Sequence, residues 1–291
     1  MTPSSAMRLF SCVFALMLLF SCAHAEIVPL PIDLSGGMPV REKYEQGKME
    51  YDDPSIHVTR EWVQSEEFYC TYYVAYITIA DASQLRTAPA GSFNSSQRVE
   101  ASVIAKRVNA VVAINGDYYC NRDNVYVLRQ GVLYHDSVTT HQDLLLIDED
   151  GDFHIILAAE DPIHADKTTV NGKKVINAFD FGPALIRDGE VCYVKESCQR
   201  NTKPHERAQR IAICQLGDLS YMVVCCARYG LDMENFIKLI QSLGDVKVAY
   251  NLDGGNSCQL IFLGKKVNNT GAQNIRAVPD IIYFASAYQP D

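Results

Sequence analysis

A single α+β domain on a mixed, largely antiparallel sheet with few helices is what this 291-residue sequence predicts. Three observations carry that prediction. Apolar runs of strand length recur along the chain, and most of them are bounded by Gly, Asn or Asp. Two segments have apolar residues at helical spacing. Strands and helices do not alternate regularly, which argues against a parallel sheet built from βαβ units.

The elements follow in order. Phe68 to Ile79 is dense in aromatic and β-branched residues and predicts a strand pair or one long bent strand. Ser95 or Ser96 is expected to cap a short helix with Val99, Val103, Ile104 and Val108 on its apolar side. The run Val111 to Ile114 reads as a buried strand, followed by strands at Val125 to Leu128, Gly131 to Tyr134, Leu144 to Ile147 and Phe153 to Leu157, the last two joined by an Asp150-Gly151 turn. Further strands are expected at Val175 to Phe179, Ala184 to Ile186, Arg210 to Cys214 and Tyr221 to Cys226. Asp232 caps the clearest helix, whose apolar face carries Phe236, Ile237, Leu239, Ile240 and Leu243, with Gly244 as its stop. Val246 to Leu252, Cys258 to Leu263 and Ile281 to Phe284 complete the sheet.

The N-terminus sets the expected compartment. Met7-Arg8, the apolar stretch Leu9 to Phe20 and Ala23-His24-Ala25 together read as a secretory signal peptide over residues 1–25. Its apolar core falls short of the ~20 residues that a spanning helix needs. Leu19-Phe20-Ser21-Cys22 offers a rival lipid-anchor reading at Cys22. Residues 26–56, rich in Pro, Gly and charge, read as an irregular arm, and 57–291 as the folded unit of a secreted, extracytoplasmic protein. Beyond the leader stand eight cysteines, of which Cys192 and Cys198 flank five residues and are expected to form a disulfide. Vicinal Cys225 and Cys226 read as separately buried thiols or as members of different pairs, with a strained redox-sensitive bridge between them as the alternative. A formal charge of −9 argues against nucleic acid as the main partner. No metal or cofactor is implied, because His135, His141, His154, His164 and His205 lack ligand spacing.

Two strand ends carry the candidate chemistry: Asn115-Gly116-Asp117-Tyr118-Tyr119 and Asn251-Leu252-Asp253-Gly254-Gly255-Asn256-Ser257. Each places a carboxylate and an amide beside glycine. Glycine lets backbone N–H groups approach an oxyanion closely, and Asn can hold sugar hydroxyls through paired donor and acceptor atoms. Asp117 and Asp253 are the candidate catalytic carboxylates, with nothing to distinguish nucleophile from base. Taken singly, each segment also suits an ordinary turn between strands. Asp143 and His135 are secondary candidates, and Trp62, Tyr72, Tyr73, Tyr118 and Tyr119 include possible sugar platforms.

The ordered set AINGDYY (113–119), RQGVLY (129–134), FGPALIRDG (181–189), RIAI (210–213) and NLDGGNS (251–257) resembles the phosphodiester glycosidase family over about 74–284. The resemblance implies hydrolysis of a sugar-1-phosphodiester, N-acetylglucosamine-type, at the C1–O bond, giving free sugar and a phosphomonoester. It implies a sugar-phosphate glycan as substrate and makes Arg210 the expected phosphate ligand, with Arg228 a second, because guanidinium presents a forked donor pair. Asn115, Gly116, Asn251, Gly254, Gly255 and Ser257 complete the expected binding set. The chain departs from the family where Cys226-Ala227 precedes Arg228 in place of an Asp-Gly pair, and at Asn256, Cys258 and Cys214. These departures motivate the alternative of a carbohydrate-binding or envelope or exopolysaccharide assembly protein that keeps the fold without catalysis.

Overall fold

The computed structural model describes residues 26–40, 47–121, 125–137, 142–160, 167–198, 202–269 and 275–289. The leader, Cys22, His141 and His164 lie outside them. Three principal sheets share a central core, and every strand pair among the described residues is antiparallel. The predicted α+β class with few helices is the one found: two α-helices, Ala101–Arg107 and Met233–Ser242, accompany the strands. Neither is long and apolar enough to cross a membrane.

The eight-stranded sheet runs Glu190–Val191, Ala184–Arg187, Val248–Leu252, Ala208–Gly217, Ser220–Leu231, Cys70–Ile79, Ile56–Ser65, Glu50–Asp53. Its central strands are apolar on both faces, and each face has a partner. Ile211, Ile213, Val223, Cys225, Tyr250 and Leu252 enter the core shared with the other sheets. Ala212, Cys214, Met222, Val224, Cys226 and Ala249 instead meet Phe236, Ile237, Leu239 and Ile240 of the second helix. Burial on both sides explains continuous apolar runs where half-buried strands would alternate. Successive strand residues point to opposite faces, so Cys225 and Cys226 occupy different cores, as separately buried thiols should.

The five-stranded sheet has Ala110–Asn115 at its centre, between Leu260–Phe262 and Asp280–Ala285. Its outer face is covered by Ala101, Ile104 and Ala105 of the first helix. That helix begins later than the serines predicted. Val99 exchanges backbone hydrogen bonds with Val278, at 2.8 and 3.1 Å, and this pairing keeps the chain extended as far as Glu100. Val103, expected on the apolar face, is exposed. The six-stranded sheet contains Tyr126–Arg129, Leu144–Asp148 and Lys173–Asp180. Phe68 to Ile79 resolves as one strand, Cys70–Ile79, paired along its length with Ile56–Ser65.

The described residues 26–40 and 47–56 are more ordered than an irregular arm. Glu50–Asp53 is a paired edge strand, Leu30, Tyr51 and Ile56 are buried, and a Cβ on Gly37 would sit 2.4 Å from that of Ala285. The fully buried Arg86 ties this segment down by donating to the carbonyls of Asp33 and Ser35 at 3.1 and 3.0 Å. All eight cysteines beyond the leader are free thiols, so the expected Cys192–Cys198 bridge is not formed here. Cys192 and Cys198 are both partly buried, and burial pushes the Cys192 thiol up to about 11.

The second helix is capped as predicted: the Asp232 carboxylate accepts the Asn235 N–H at 2.9 Å. Burial pulls the Asp232 pKa upward, but its hydrogen bonds from Asn235 outweigh that and hold the carboxyl below its ordinary range. Asp232→Ala is expected to cost about 1 kcal/mol at neutral pH. A depressed folded pKa gives stability that is full above the unfolded value of about 3.9 and is lost as pH falls through the lower folded value. The Tm gap between wild type and Asp232→Ala should therefore close in acid; a gap independent of pH in thermal scans would refute the capping account.

Candidate active site

The two strand ends named by the sequence come from different sheets and meet. Ala110–Asn115 ends in the five-stranded sheet and Val248–Leu252 in the eight-stranded one. Asn115 joins them, its Nδ2 donating to the Asp253 carbonyl at 2.8 Å and its Oδ1 accepting the Gln259 N–H at 3.0 Å. Asn115 is buried and its amide is used within the protein, so it shapes the site from behind.

In front of this junction lies a cleft of about 540 Å³, bounded by Tyr118, Phe181, Lys203, Arg210, Asn251, Asp253, Gly254, Gly255 and Arg276. A more open depression of about 340 Å³, beside Asp188, Gln241 and Lys247, holds none of the motif residues. Among the described residues that line the cleft, Asp253 is the one carboxylate, and it shares the lining with the cations Lys203, Arg210 and Arg276. An acidic chain thus collects positive charge locally, as anion binding requires.

Asn251 contributes an unusual acceptor. Its Nδ2 donates to the Gly182 carbonyl at 2.9 Å, while Oδ1 is buried with no partner. Buried polar atoms are almost always paired, so an orphan acceptor on a cleft residue marks a position for a ligand N–H or O–H. The contact with Gly182 also explains why the Phe181-Gly182-Pro183 segment travels with this site.

The other expected residues divide by geometry. Asp117 is fully buried and is not among the cleft-lining residues. Its Oδ1 lies 2.9 Å from Nη2 of Arg129, and its Oδ2 accepts the Asp180 N–H at 3.2 Å. Arg129, also fully buried, reaches Asp280 at 3.4 Å and stacks 4.2 Å over Phe179. Burial opposes its charge, yet Asp117 and Asp280 outweigh it and raise the Arg129 pKa. Asp117 is therefore placed as one arm of a buried ion network, and of the two aspartates it is Asp253 that stands in the cleft. The turn delivers Tyr118 to the cleft wall instead, at a φ of 61°.

Arg210 lines the cleft but directs four of its five N–H groups to the carbonyls of Leu231, Thr202, Lys203 and Glu206, at 2.8–3.1 Å. Desolvation lowers its pKa. These bonds make it a clamp for the 202–206 rim, which departs from the phosphate-ligand role read for it. Arg228 lies on the strand Ser220–Leu231, and its side chain is outside the described residues. Arg276 was not anticipated: its exposed guanidinium donates to Ser257 Oγ at 3.4 Å, and its N–H binds the Asn256 carbonyl at 3.1 Å. No motif flags it, because only folding brings residue 276 beside 253–257. Asp143 is buried and accepts N–H groups of Ala158 and Ala184, at 2.9 and 3.0 Å, while His135 is exposed.

The glycines are not equivalent. A Cβ on Gly116 would lie 2.2 Å from the Asp280 carboxylate, and one on Gly254 would lie 2.3 Å from the Gln209 carbonyl oxygen. Gly255 has φ +58° but open space around it. Gly116→Ala and Gly254→Ala are each expected to cost about 3 kcal/mol, the upper end of overpacking. Gly255→Ala should cost about 1 kcal/mol, for the left-handed backbone alone. Denaturant midpoints of the three variants check this order.

The sequence pattern of the phosphodiester glycosidase family (NAGPA) matches residues 108–285, a span that contains both strand ends and the cleft residues Arg210 and Arg276. The chain belongs to this family. Its fold is shared with the catalytic domain of zebrafish N-acetylglucosamine-1-phosphodiester alpha-N-acetylglucosaminidase, solved in a form auto-inhibited by its pro-peptide, at a TM-score of 0.60 and 16% identity over 87% of each chain. A hypothetical protein from Synechocystis matches at TM-score 0.52 and 16% identity, over 79% of this chain and 62% of that one. No curated protein sequence matches. Family and fold together support a phosphodiester glycosidase-type function.

Proposed function

We propose that this phosphodiester glycosidase is an extracytoplasmic hydrolase that cleaves a sugar-1-phosphodiester of the N-acetylglucosamine type at the C1–O bond, releasing free sugar and a phosphomonoester. The observation that carries the reading is that Asp253, the one carboxylate among the described lining residues, shares a cleft with the cations Lys203 and Arg276. A phosphomonoester leaves readily, so the site must mainly stabilise charge at the anomeric carbon and on the departing phosphate.

Asp253 serves the anomeric carbon. Arg276, whose guanidinium is exposed beside Ser257, takes the phosphate with help from Lys203 and the N–H groups of Gly254 and Gly255. The unpartnered Asn251 Oδ1 receives a sugar hydroxyl or acetamido N–H, and Tyr118 and Phe181 supply apolar wall. Asn115, Gly116, Asp117 and Arg210 hold these groups in place without touching substrate. The leader-like residues 1–25 are the basis for placing the protein outside the cytoplasm.

The test is release of N-acetylglucosamine from its 1-phosphodiester with a simple alcohol, run in ¹⁸O-labelled water. A phosphomonoester free of label supports C1–O cleavage, since the freed reducing sugar also takes up label by exchange, and label in the phosphate overturns it. Ligand binding without turnover across a panel of sugars would establish the non-catalytic carbohydrate-binding alternative, which rests on the Ala227 departure. Arg276→Ala is expected to raise KM about tenfold or more, the loss of a charge-assisted hydrogen bond, with kcat changed only a few-fold. An unchanged KM would remove Arg276 from the phosphate site.

A further inference from the structure

Directly beneath the glycine segment of the cleft, two cysteines distant in sequence meet. Cys258 follows the helical turn Gly255–Ser257, and Cys225 lies on the central strand Ser220–Leu231. Their Sγ atoms are 2.8 Å apart, inside the van der Waals separation of two sulfurs, and both residues are fully buried. Asn268 Nδ2 lies 3.3 Å from Cys225 Sγ and 3.9 Å from Cys258 Sγ while donating to the Cys258 carbonyl at 2.9 Å, so one amide faces both sulfurs. Cys226 offers a contrast: it sits on the opposite face of the same strand, with its Sγ 3.7 Å from the Ala208 carbonyl.

We propose that Cys225 and Cys258 are a disulfide-forming pair whose bond fastens the Gly254–Ser257 segment of the cleft to the central strand of the eight-stranded sheet. From 2.8 Å the sulfurs reach the bonded distance of about 2.05 Å by a shift of under about 1 Å, which needs no rearrangement of either element. A disulfide sulfur accepts but does not donate, which suits an amide donor held over the pair.

The oxidant is a small-molecule disulfide such as oxidised glutathione. The thiolate of one cysteine attacks it and releases one equivalent of reduced thiol; the second cysteine, losing its proton, attacks the mixed disulfide and releases the other. Two protein thiols are oxidised and one external disulfide is reduced. Burial pushes the Cys258 thiol well up, so the exchange belongs to folding, before the core closes over the pair. The ring so closed contains the second helix and the strand Val248–Leu252, and it constrains the unfolded chain. The bond is independent of the hydrolase reading, since its detection requires no activity.

The experiment is disulfide mapping of the full chain folded in a mixture of oxidised and reduced glutathione, with free thiols capped by iodoacetamide under denaturing conditions before tryptic digestion. The expected result is a cross-link between the peptides 211–228 and 248–265, retained in Cys226→Ser and absent in Cys225→Ser. Because peptide 211–228 also carries Cys214 and Cys226, fragment ions that bracket Cys225 in the wild-type cross-link decide the matter even if a variant fails to fold. Recovery of Cys258 as a capped thiol, or its linkage to any cysteine other than Cys225, overturns the proposal. Unfolding and refolding in excess dithiothreitol should lower the wild-type Tm by about 5 °C or more and leave the Cys225→Ala/Cys258→Ala double variant unmoved. Equal sensitivity of the two proteins to reductant would also count against it.

Discussion

Asp253→Asn is expected to lower kcat for sugar-1-phosphodiester hydrolysis by about 10³-fold or more, with KM little changed. The argument is geometric. Asp253 is the carboxylate among the described residues of the cleft, half-buried at the end of the strand Val248–Leu252, and its backbone is pinned through the Asn115 amide at 2.8 Å. A carboxylate so held can act on the anomeric carbon as nucleophile or as base for water, and an isosteric amide can do neither. The substitution removes charge from a partly solvated position and adds no volume, so stability should change by no more than about 0.5 kcal/mol. Initial rates with matched thermal scans separate the outcomes. A full rate in Asp253→Asn would dismiss the assignment, whereas absence of turnover in the wild type as well would favour the binding-protein alternative.

Arg129→Met is expected to be the most damaging single change to stability, costing about 3–5 kcal/mol, or a fall of about 10 °C in Tm. Arg129 has no exposed surface, and removing its charge strands Asp117 and Asp280, both also fully buried. It also removes donors to the Leu128 and Ala178 carbonyls and a cation stacked on Phe179. The network reaches from the end of Ala110–Asn115 and the head of Asp280–Ala285 in one sheet to Tyr126–Arg129 and Lys173–Asp180 in another. Its loss is therefore felt where two sheets join.

Asp117→Asn sharpens the comparison. It should lower Tm by less, because Arg129 keeps Asp280, and it should leave kcat per folded molecule within a few-fold of wild type. Urea midpoints and active-site-normalised rates measure both. A loss of about 10³-fold in kcat at unchanged Tm would make Asp117 a catalytic group and not a positioning one.

These two aspartates show what could and could not be read from sequence. Asn115-Gly116-Asp117 and Asn251 to Ser257 look alike as strings: an amide, a carboxylate and glycine at the end of an apolar strand. Both are indeed at strand ends, and they do meet. Yet one carboxylate faces the cleft and the other turns into a buried arginine, a distinction made by which way each chain leaves its strand and by what lies behind it. Gly116 had the look of an anion-binding glycine and instead makes room for Asp280. Arg210 stood at the head of a family-like strand, and four carbonyls of neighbouring segments claim its donors.

Local periodicity made the strands, the Asp150-Gly151 turn and the Asp232-capped helix legible, because those depend on neighbours within a few residues. The first helix was misplaced at its start because Val99 is held extended by Val278, a partner no local window contains. The sequence of 26–56 reads as irregular because the order of its described parts comes from Arg86, which holds Asp33 and Ser35, and from the pairing of Glu50–Asp53 with Ile56–Ser65.

The sequence by itself determined the fold class, the strand ends at which chemistry gathers and, through five ordered motifs, the family. Tertiary structure alone decided which carboxylate meets solvent, that Arg276 joins the site, that Asn251 keeps an unpartnered acceptor there, and that Cys225 finds Cys258 and not Cys226. The physical reason is that secondary structure and turn chemistry are set by short-range sterics and hydrogen bonding, whereas burial, charge pairing and sulfur contact depend on packing between elements far apart in the chain.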